Sequence, residues 1–290
     1  MSPDAKAIVD AIHSLNHTDS FLKSYIYPLL PAVISTLAGF ILASVNFNKQ
    51  ECVKADAVKI NNANKFIIKA ESAFQSLMVV KNIYQDRLTN EPIQRAIVIG
   101  KVEVYFPELS GVEELIFLAN GNTSRPGDAY YTTWNNIPRI SAMLGNYLYA
   151  VERINARNKS REELFKHIPV EAKSLNLADL GVEGYKKLQT HVNDTEVIIS
   201  IIDSLIIEFD SFLKNITASI KKSLNVDRVK HLSTIVNYNG NNPLIEQSLV
   251  RSPEPDYALL ANILEMDENT VRASFRNYYF DTDLQQNSED

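Results

Sequence analysis

The chain has few of the features that mark an enzyme or a metalloprotein. Its 290 residues include a single cysteine, Cys52, so no internal disulfide can form, which suits a reducing compartment. It contains no glycine-rich phosphate loop, no HExxH, no paired CxxC and no serine nucleophile elbow. We therefore expect no catalytic residue, no cofactor, no bound metal and no enzymatic activity.

Metal-ligand spacing is also sparse, because the five histidines are scattered and only His13 and His17 lie four residues apart, with no cysteine beside them. Glu196, Asp203 and Asp210 lie seven residues apart, so they share a face of a predicted helix and could bind a cation. An acidic stripe of this kind is more typical of a solvated helix face. We predict that these three carboxylates face water.

Composition places the chain among globular proteins, with 45% hydrophobic and 22% charged residues and only 9 glycines. The net charge of −6 disfavours general binding to polyanions. Residues 225–290 contain 5 basic and 11 acidic residues, so this last quarter carries the whole imbalance.

One run has no charge at all, the 25 residues between Lys23 and Lys49, SYIYPLLPAVISTLAGFILASVNFN. As a helix it is long enough to cross about 30 Å of hydrocarbon. Tyr25 and Tyr27 are suited to the headgroup layer, and prolines are tolerated in the first turns. We predict a transmembrane helix over residues 24–48; the alternative is a buried core helix of a soluble protein.

Small residues recur every four positions in this run, at Ser35, Gly39 and Ala43. They form one helix face that a second helix can approach closely, which predicts a transmembrane packing face and a homo-oligomer. The alternative is that small residues are simply common in such helices.

Lysine counts predict the orientation of the span. Two lysines precede it, Lys6 and Lys23, and five follow it within 22 residues, Lys49, Lys54, Lys59, Lys65 and Lys69. Basic residues stay on the cytoplasmic side, so we expect a single-pass protein of the inner (cytoplasmic) membrane, with its N-terminus outside. A cleaved signal peptide is disfavoured, since the preceding region is long and holds more acids than lysines.

The remaining pattern predicts an all-α fold, in which one transmembrane helix continues into a cytoplasmic helical bundle with long antiparallel helices. Residues 48–88 contain no proline or glycine and show apolar residues at helical spacing, which either pair between subunits or pack on the same chain. Further helices are predicted over residues 2–15, 93–106, 111–119, 130–158 and 182–224.

We accordingly divide the chain into a short amphipathic N-terminal segment (1–23), the transmembrane helix (24–48), a first helical half (49–168), a long central helix and hairpin (182–236), and a C-terminal helical hairpin with an acidic tail (243–290).

Three local patterns resemble known families. The first pattern, which follows a basic helical stretch, is Tyr105-Phe106-Pro107-Glu108-Leu109. It resembles uncharacterised single-span bacterial membrane proteins, and this resemblance implies no activity. Arg161 and His167 have the spacing of the Arg-x(4 to 6)-His motif of a helical ribonuclease superfamily, in which the two residues act on RNA. That resemblance implies a membrane-bound ribonuclease as one alternative.

The third pattern is the segment 260–276, LANILEMDENTVRASFR, which resembles the helix-turn-helix of sigma factors and response regulators. The structural positions of that motif match Ala261, Met266, Val271 and Phe275. The positions that face DNA match Asn269, Thr270, Arg272 and Arg276. Glu265 replaces the usual glycine of the turn, and residues 243–280 carry 3 basic against 6 acidic residues.

We expect a membrane-anchored helical protein that acts through protein contact, as a sensor, a scaffold or an effector-coupling subunit. Its expected partners are membrane lipid, a second copy of itself and another protein. The alternative is a membrane-tethered regulator that binds DNA through the C-terminal hairpin.

Overall fold

The computed structural model describes residues 3–21, 27–120, 134–168 and 180–275. Within these ranges every regular element is a helix and there is no strand, which confirms the all-α prediction. The α-helices are α1 (Pro3–Phe21), α2 (Tyr27–Asn82), α3 (Pro92–Val98), α4 (Ile137–Phe165), α5 (Gly181–Ser223), α6 (Val226–Val229), α7 (Pro243–Leu249), α8 (Tyr257–Leu264) and α9 (Glu268–Phe275), with a 3-10 helix over Val112–Asn120.

The chain divides into two units, residues 1–57 and 58–290. The first contains α1 and the beginning of α2. Among the described residues, α2 is the one helix that is long and apolar enough to cross a membrane. Its large apolar side chains in this unit are all exposed: Tyr27, Leu29, Leu30, Val33, Ile34, Leu37, Phe40, Ile41, Leu42, Val45 and Phe47.

The second unit is organised around α5, which packs on α3, α4, α7, α8, α9 and the 3-10 helix. The apolar stripe of α2 beyond residue 58 is buried here, at Ile60, Ala63, Ile67, Ala70, Phe74 and Leu77. Phe66 of α2 meets Phe212 of α5 edge to face, with the ring centroids 5.7 Å apart. This stripe therefore packs on its own chain, which is one of the two alternatives that its pattern allows.

The central helix agrees with the predicted 182–224. The helix predicted over 2–15 continues to Phe21, and the one predicted over 111–119 is a 3-10 helix. Two further predictions of helix bounds are wrong. The helix expected over 93–106 ends at Val98, and residues 99–111 have no regular structure. Side chains of α4 bind this backbone instead: Asn158 Oδ1 accepts from Val102 N and its Nδ2 donates to Val102 O. These bonds satisfy both backbone groups of Val102 outside any helix, in a stretch rich in β-branched residues.

The second correction concerns the helix predicted over 130–158 with a bend at Pro138. α4 begins at Ile137, because Asn136 caps it through a hydrogen bond from Arg139 N to Asn136 Oδ1 (3.2 Å). Proline is favoured in the first turn of a helix, so Pro138 marks the start of α4 rather than a bend. Residues 121–133, including Tyr130 and Tyr131, lie outside the described residues.

Candidate functional site

The acidic residues of α5 are buried, so the prediction that they form a solvated stripe is wrong. Glu196, Asp203 and Asp210 are 2%, 5% and 6% exposed. α5 is covered on more than one side, and its acidic face therefore also meets neighbouring elements. Each of the three carboxylates pairs with a cation, which offsets the cost of removing it from water.

Glu196 is held by Arg95 of α3 in a bidentate ion pair. Arg95 Nε lies 2.7 Å from Glu196 Oε1, and Nη2 lies 2.9 Å from Oε2. The remaining nitrogen, Nη1, donates to the backbone carbonyls of Thr89 (3.1 Å) and Pro253 (2.6 Å). Burial raises the pKa of Glu196, and the hydrogen bonds and charge of Arg95 oppose that rise.

Asp203 is held by Lys81 of α2, whose Nζ lies 2.9 Å from Asp203 Oδ1. Lys81 is fully buried and also donates to the carbonyl oxygen of Val250 (2.5 Å). Ser252 donates to Asp203 through its backbone N (2.7 Å) and its Oγ (3.3 Å). We call Lys81, Arg95, Glu196 and Asp203 the buried charged network.

The network fixes the connection between α7 and α8, residues 250–256, which we call the strap. Three strap residues bond to network side chains, through the carbonyls of Val250 and Pro253 and through both donors of Ser252. At the far end of the strap, Asp256 N donates to Asn90 O (2.7 Å), and the Asp256 side chain caps α8. The position of the C-terminal hairpin thus depends on charges buried on α2, α3 and α5.

A cavity of about 300 Å³ lies between α5 and the strap. α5 contributes Glu196, Ser200 and Asp203 to its lining. The strap contributes Arg251 and Glu254, and the rings of Tyr257 and Phe275 complete it. A concave site with buried ionisable groups is a candidate for a small-molecule site, although its lining is more polar than most such sites.

Tyr84 lies near the network and carries an unsatisfied group. Its side chain is fully buried, and its hydroxyl has no hydrogen-bond partner among the described residues. Burial, followed by the negative charges of Asp203 and Glu196, raises the pKa of Tyr84, while Arg95 lowers it. The hydroxyl is therefore neutral at physiological pH and able to donate.

A third buried cation, Arg157 of α4, binds the backbone carbonyl groups at the C-terminal end of α3. Its Nη1 donates to Gly100 O (2.6 Å), and its Nη2 donates to the carbonyls of Ala96 and Ile99. Burial lowers the pKa of Arg157 to about 10, so it stays charged, and a cation is favourable at the carbonyl end of a helix. This arrangement explains why α3 stops early.

His191 of α5 lies beside Arg157 and stays neutral. Its Nε2 is 3.1 Å from Ala96 O, and its Nδ1 is 3.1 Å from Ser160 Oγ. Burial, and then the charge of Arg157, lower the pKa of His191 to about 3. Although a serine and a histidine are in contact, the ring is fully buried, and we assign the pair to packing.

The C-terminal hairpin forms two eight-residue helices, α8 and α9, joined where Glu265 adopts the left-handed conformation (φ 55°). The resemblance implies a glycine there, and this chain holds the same backbone with glutamate. Ala261 and Val271, which match structural positions of the motif, are buried, whereas Met266, which matches another, is 46% exposed. The hairpin packs its apolar side on Leu188 and Val192 of α5.

The residues predicted to face DNA that the structure describes, Asn269, Thr270 and Arg272, are exposed. Arg272 already pairs with Glu268 (3.0 Å) and lies over the Tyr257 ring at 4.4 Å. Thr270 Oγ1 bonds to Asp267 (3.2 Å). Arg276 lies outside the described residues.

The residues of the ribonuclease-like pattern have separate surroundings. The Arg161 guanidinium lies 4.1 Å from the centroid of the Phe165 ring. Its Nε is buried and has no hydrogen-bond partner among the described residues. The Cβ of His167 lies against Gly184, at the beginning of α5.

No family model matches the chain. No curated protein matches it, and no solved structure does. Within the described part of the chain, no group of three or more His, Cys, Asp or Glu side chains could hold a metal ion.

Sequence reasoning missed the cations of the network, although one signal was present. Ile60, Ile67 and Phe74 form a seven-residue repeat of buried positions, and the next position in that repeat is Lys81. The acids of α5 repeat with the same period. A charge that continues an apolar stripe is a signal for a buried ion pair.

Proposed function

We propose that this chain is a single-span membrane protein whose helical body, beyond residue 58, acts by contact with other proteins. The observation that carries the proposal is the set of exposed apolar side chains between Tyr27 and Phe47. Nothing in the described part of the first unit covers them, since the apolar window of α2 is 0% buried.

The size of this apolar surface supports a lipid partner. Burying one large apolar side chain is worth about 1.5 to 3 kcal/mol, so eleven of them amount to roughly 16 to 33 kcal/mol. That exceeds the net stability of a typical domain, about 5 to 15 kcal/mol. A bilayer removes this surface from water without requiring a matching protein partner.

Further parts of the proposal are the topology and the assembly. The lysine excess after the span supports a body on the cytoplasmic side of the inner membrane, and Ser35, Gly39 and Ala43 support pairing of the span with a second copy. The network and the strap support a body that couples events at its cavity to its C-terminal hairpin.

Membrane fractionation tests the span. The double variant Leu37→Arg/Ile41→Arg places two cations in the middle of the apolar run, at about 2.5 to 3.5 kcal/mol each, and should move the protein from the membrane pellet to the soluble or aggregated fraction. The matched control is Val58→Arg/Ile68→Arg, which changes exposed apolar residues of the second unit and should leave the protein in the pellet. Extraction of the parent chain by carbonate alone would contradict the proposal.

Cys52 allows a direct test of orientation, because it is exposed and is the single cysteine in the sequence. A membrane-impermeant maleimide should leave Cys52 unlabelled in intact cells and label it after permeabilisation. The control is Ser2→Cys in a Cys52→Ser background, which should be labelled in intact cells. The reverse pattern would place the body outside.

Binding to DNA by the hairpin is the second candidate function, and the left-handed Glu265 is the observation that favours it. An electrophoretic shift at low salt, performed with the full chain in detergent, provides the test. A shift that Thr270→Ala and Arg272→Gln abolish would support this function, and no shift would exclude it.

A further inference from the structure

The charges around the cavity cancel. Arg95 and Arg251 line it together with Glu196, Asp203 and Glu254, and Lys81 pairs with Asp203. These three cations and three anions give the site a net charge of zero. A ligand with a net charge would find no opposite charge left to compensate it in this partly buried site, so a neutral ligand is favoured.

The hydrogen-bonding groups of the network leave room for further donors. Each carboxylate oxygen of Glu196 accepts one hydrogen bond from Arg95, and each can accept another. Every nitrogen of the Arg95 guanidinium, in contrast, already donates. The fitting ligand therefore brings several O–H groups that donate to these carboxylates.

Beside its charged groups and two serines, the lining contains several apolar rings. Tyr257 and Phe275 present aromatic rings, and Pro253 and Pro255 present the edge of the strap. Such surfaces pack on the C–H face of a ligand ring. The volume of about 300 Å³ is at the lower end of the range for small-molecule sites, which favours a ligand of one ring.

We infer that this cavity binds a neutral polyhydroxyl ligand of monosaccharide size, with its hydroxyls on Glu196 and Asp203 and its ring on Tyr257 and Phe275. Such a ligand contacts α5 and the strap together. Its binding stabilises the strap, and through the strap it stabilises the position of α8 and α9. The inference does not depend on the membrane span, because every residue in it belongs to the second unit.

Equilibrium dialysis of the full chain tests this inference. The chain is kept in a polyoxyethylene detergent, because the headgroups of sugar detergents would compete. The probes are radiolabelled D-glucose, D-galactose and D-ribose, with 1,4-diaminobutane and inorganic phosphate as charged probes of similar size. We expect saturable binding of at least one sugar, with one molecule per chain and no saturable binding of the charged probes.

Two variants assign the binding to the cavity. Glu196→Gln removes a charged acceptor and should weaken sugar binding by about tenfold or more. Ser200→Leu fills the cavity without changing a buried charge, and should abolish binding even if Glu196→Gln fails to fold, as circular dichroism will show. The matched control is Glu246→Gln, the same chemical change at an exposed site on α7, which should bind like the parent.

Saturable sugar binding that is lost in Ser200→Leu and kept in Glu246→Gln supports the inference. Saturable binding of diaminobutane or phosphate in place of the sugars would overturn the ligand class. Sugar binding that survives Ser200→Leu would overturn the site, and the absence of saturable binding by any probe would overturn the whole inference.

Discussion

The two units of this chain place apolar and charged groups in opposite ways. In the first unit the large apolar side chains of α2 are exposed, whereas in the second unit Lys81, Arg95, Glu196 and Asp203 are buried. Each arrangement is costly in water unless something compensates it. The second unit carries its own compensation, since its charges pair with each other. In the described part of the first unit nothing covers the apolar side chains, which is the basis for the proposed lipid partner.

The largest expected effect is the loss of one half of a buried pair. Arg95→Met leaves Glu196 buried without its cation and should lower the free energy of unfolding by about 3 to 5 kcal/mol, as measured by chemical denaturation in detergent. The double variant Arg95→Met/Glu196→Leu should recover much of this loss, because no charge then remains unpaired. If the Arg95→Met chain is as stable as the parent, the pairing of Arg95 with Glu196 does not contribute to the free energy of unfolding.

The next effect is a dependence of stability on pH that comes from His191. Its pKa is lowered to about 3 in the folded chain, against an ordinary value of about 6.5, so the unfolded chain binds the proton first. The contribution of neutral His191 to the free energy of unfolding is fully present above pH 6.5. It falls by about 1.4 kcal/mol per pH unit as the pH drops towards 3. His191→Asn should reduce this slope, and His231→Asn, at an exposed site, should not.

A smaller effect, on dimerisation, is expected at the proposed transmembrane helix. A Cβ atom added at Gly39 would meet no other group within 4 Å, so Gly39→Ile should leave the fold of the single chain intact. If a second copy packs on this face, the variant should weaken dimerisation by about tenfold, as measured by crosslinking in membranes. The control is Ala38→Ile on another face of the helix. Equal crosslinking in the parent and both variants would contradict pairing through Gly39.

The smallest effect is expected at the surface of the hairpin. Arg272 and Glu268 form an exposed pair within α9, and such pairs contribute about 0.3 to 0.5 kcal/mol. With the added contact to the Tyr257 ring, Arg272→Gln should cost about 1 kcal/mol or less. If Arg272→Gln lowered the free energy of unfolding as much as Arg95→Met does, buried and exposed ion pairs would not differ in their contribution to stability.

Local sequence patterns predicted most of the helices. They failed to predict helix ends and buried charges that depend on contacts with residues distant in the chain. The bounds of α5 follow from its own apolar stripe, and sequence reasoning found them. The end of α3 depends on Arg157, which is about 60 residues away in the chain, so no pattern near Val98 could show it. The burial of Glu196 and Asp203 likewise depends on Arg95 and Lys81. The cavity could not be predicted, because its lining comes from α3, α5, the strap, α8 and α9.

The separation of the network partners along the chain also has a consequence for biosynthesis. Arg95 meets Glu196 across 101 residues and Pro253 across 158, and Lys81 reaches Val250 across 169. Ribosomal synthesis delivers the apolar start of α2 long before any of these partners. In the proposed topology, the span is therefore available to a bilayer while the later part of the chain is still incomplete, and the buried charged network forms only when the polypeptide is nearly finished.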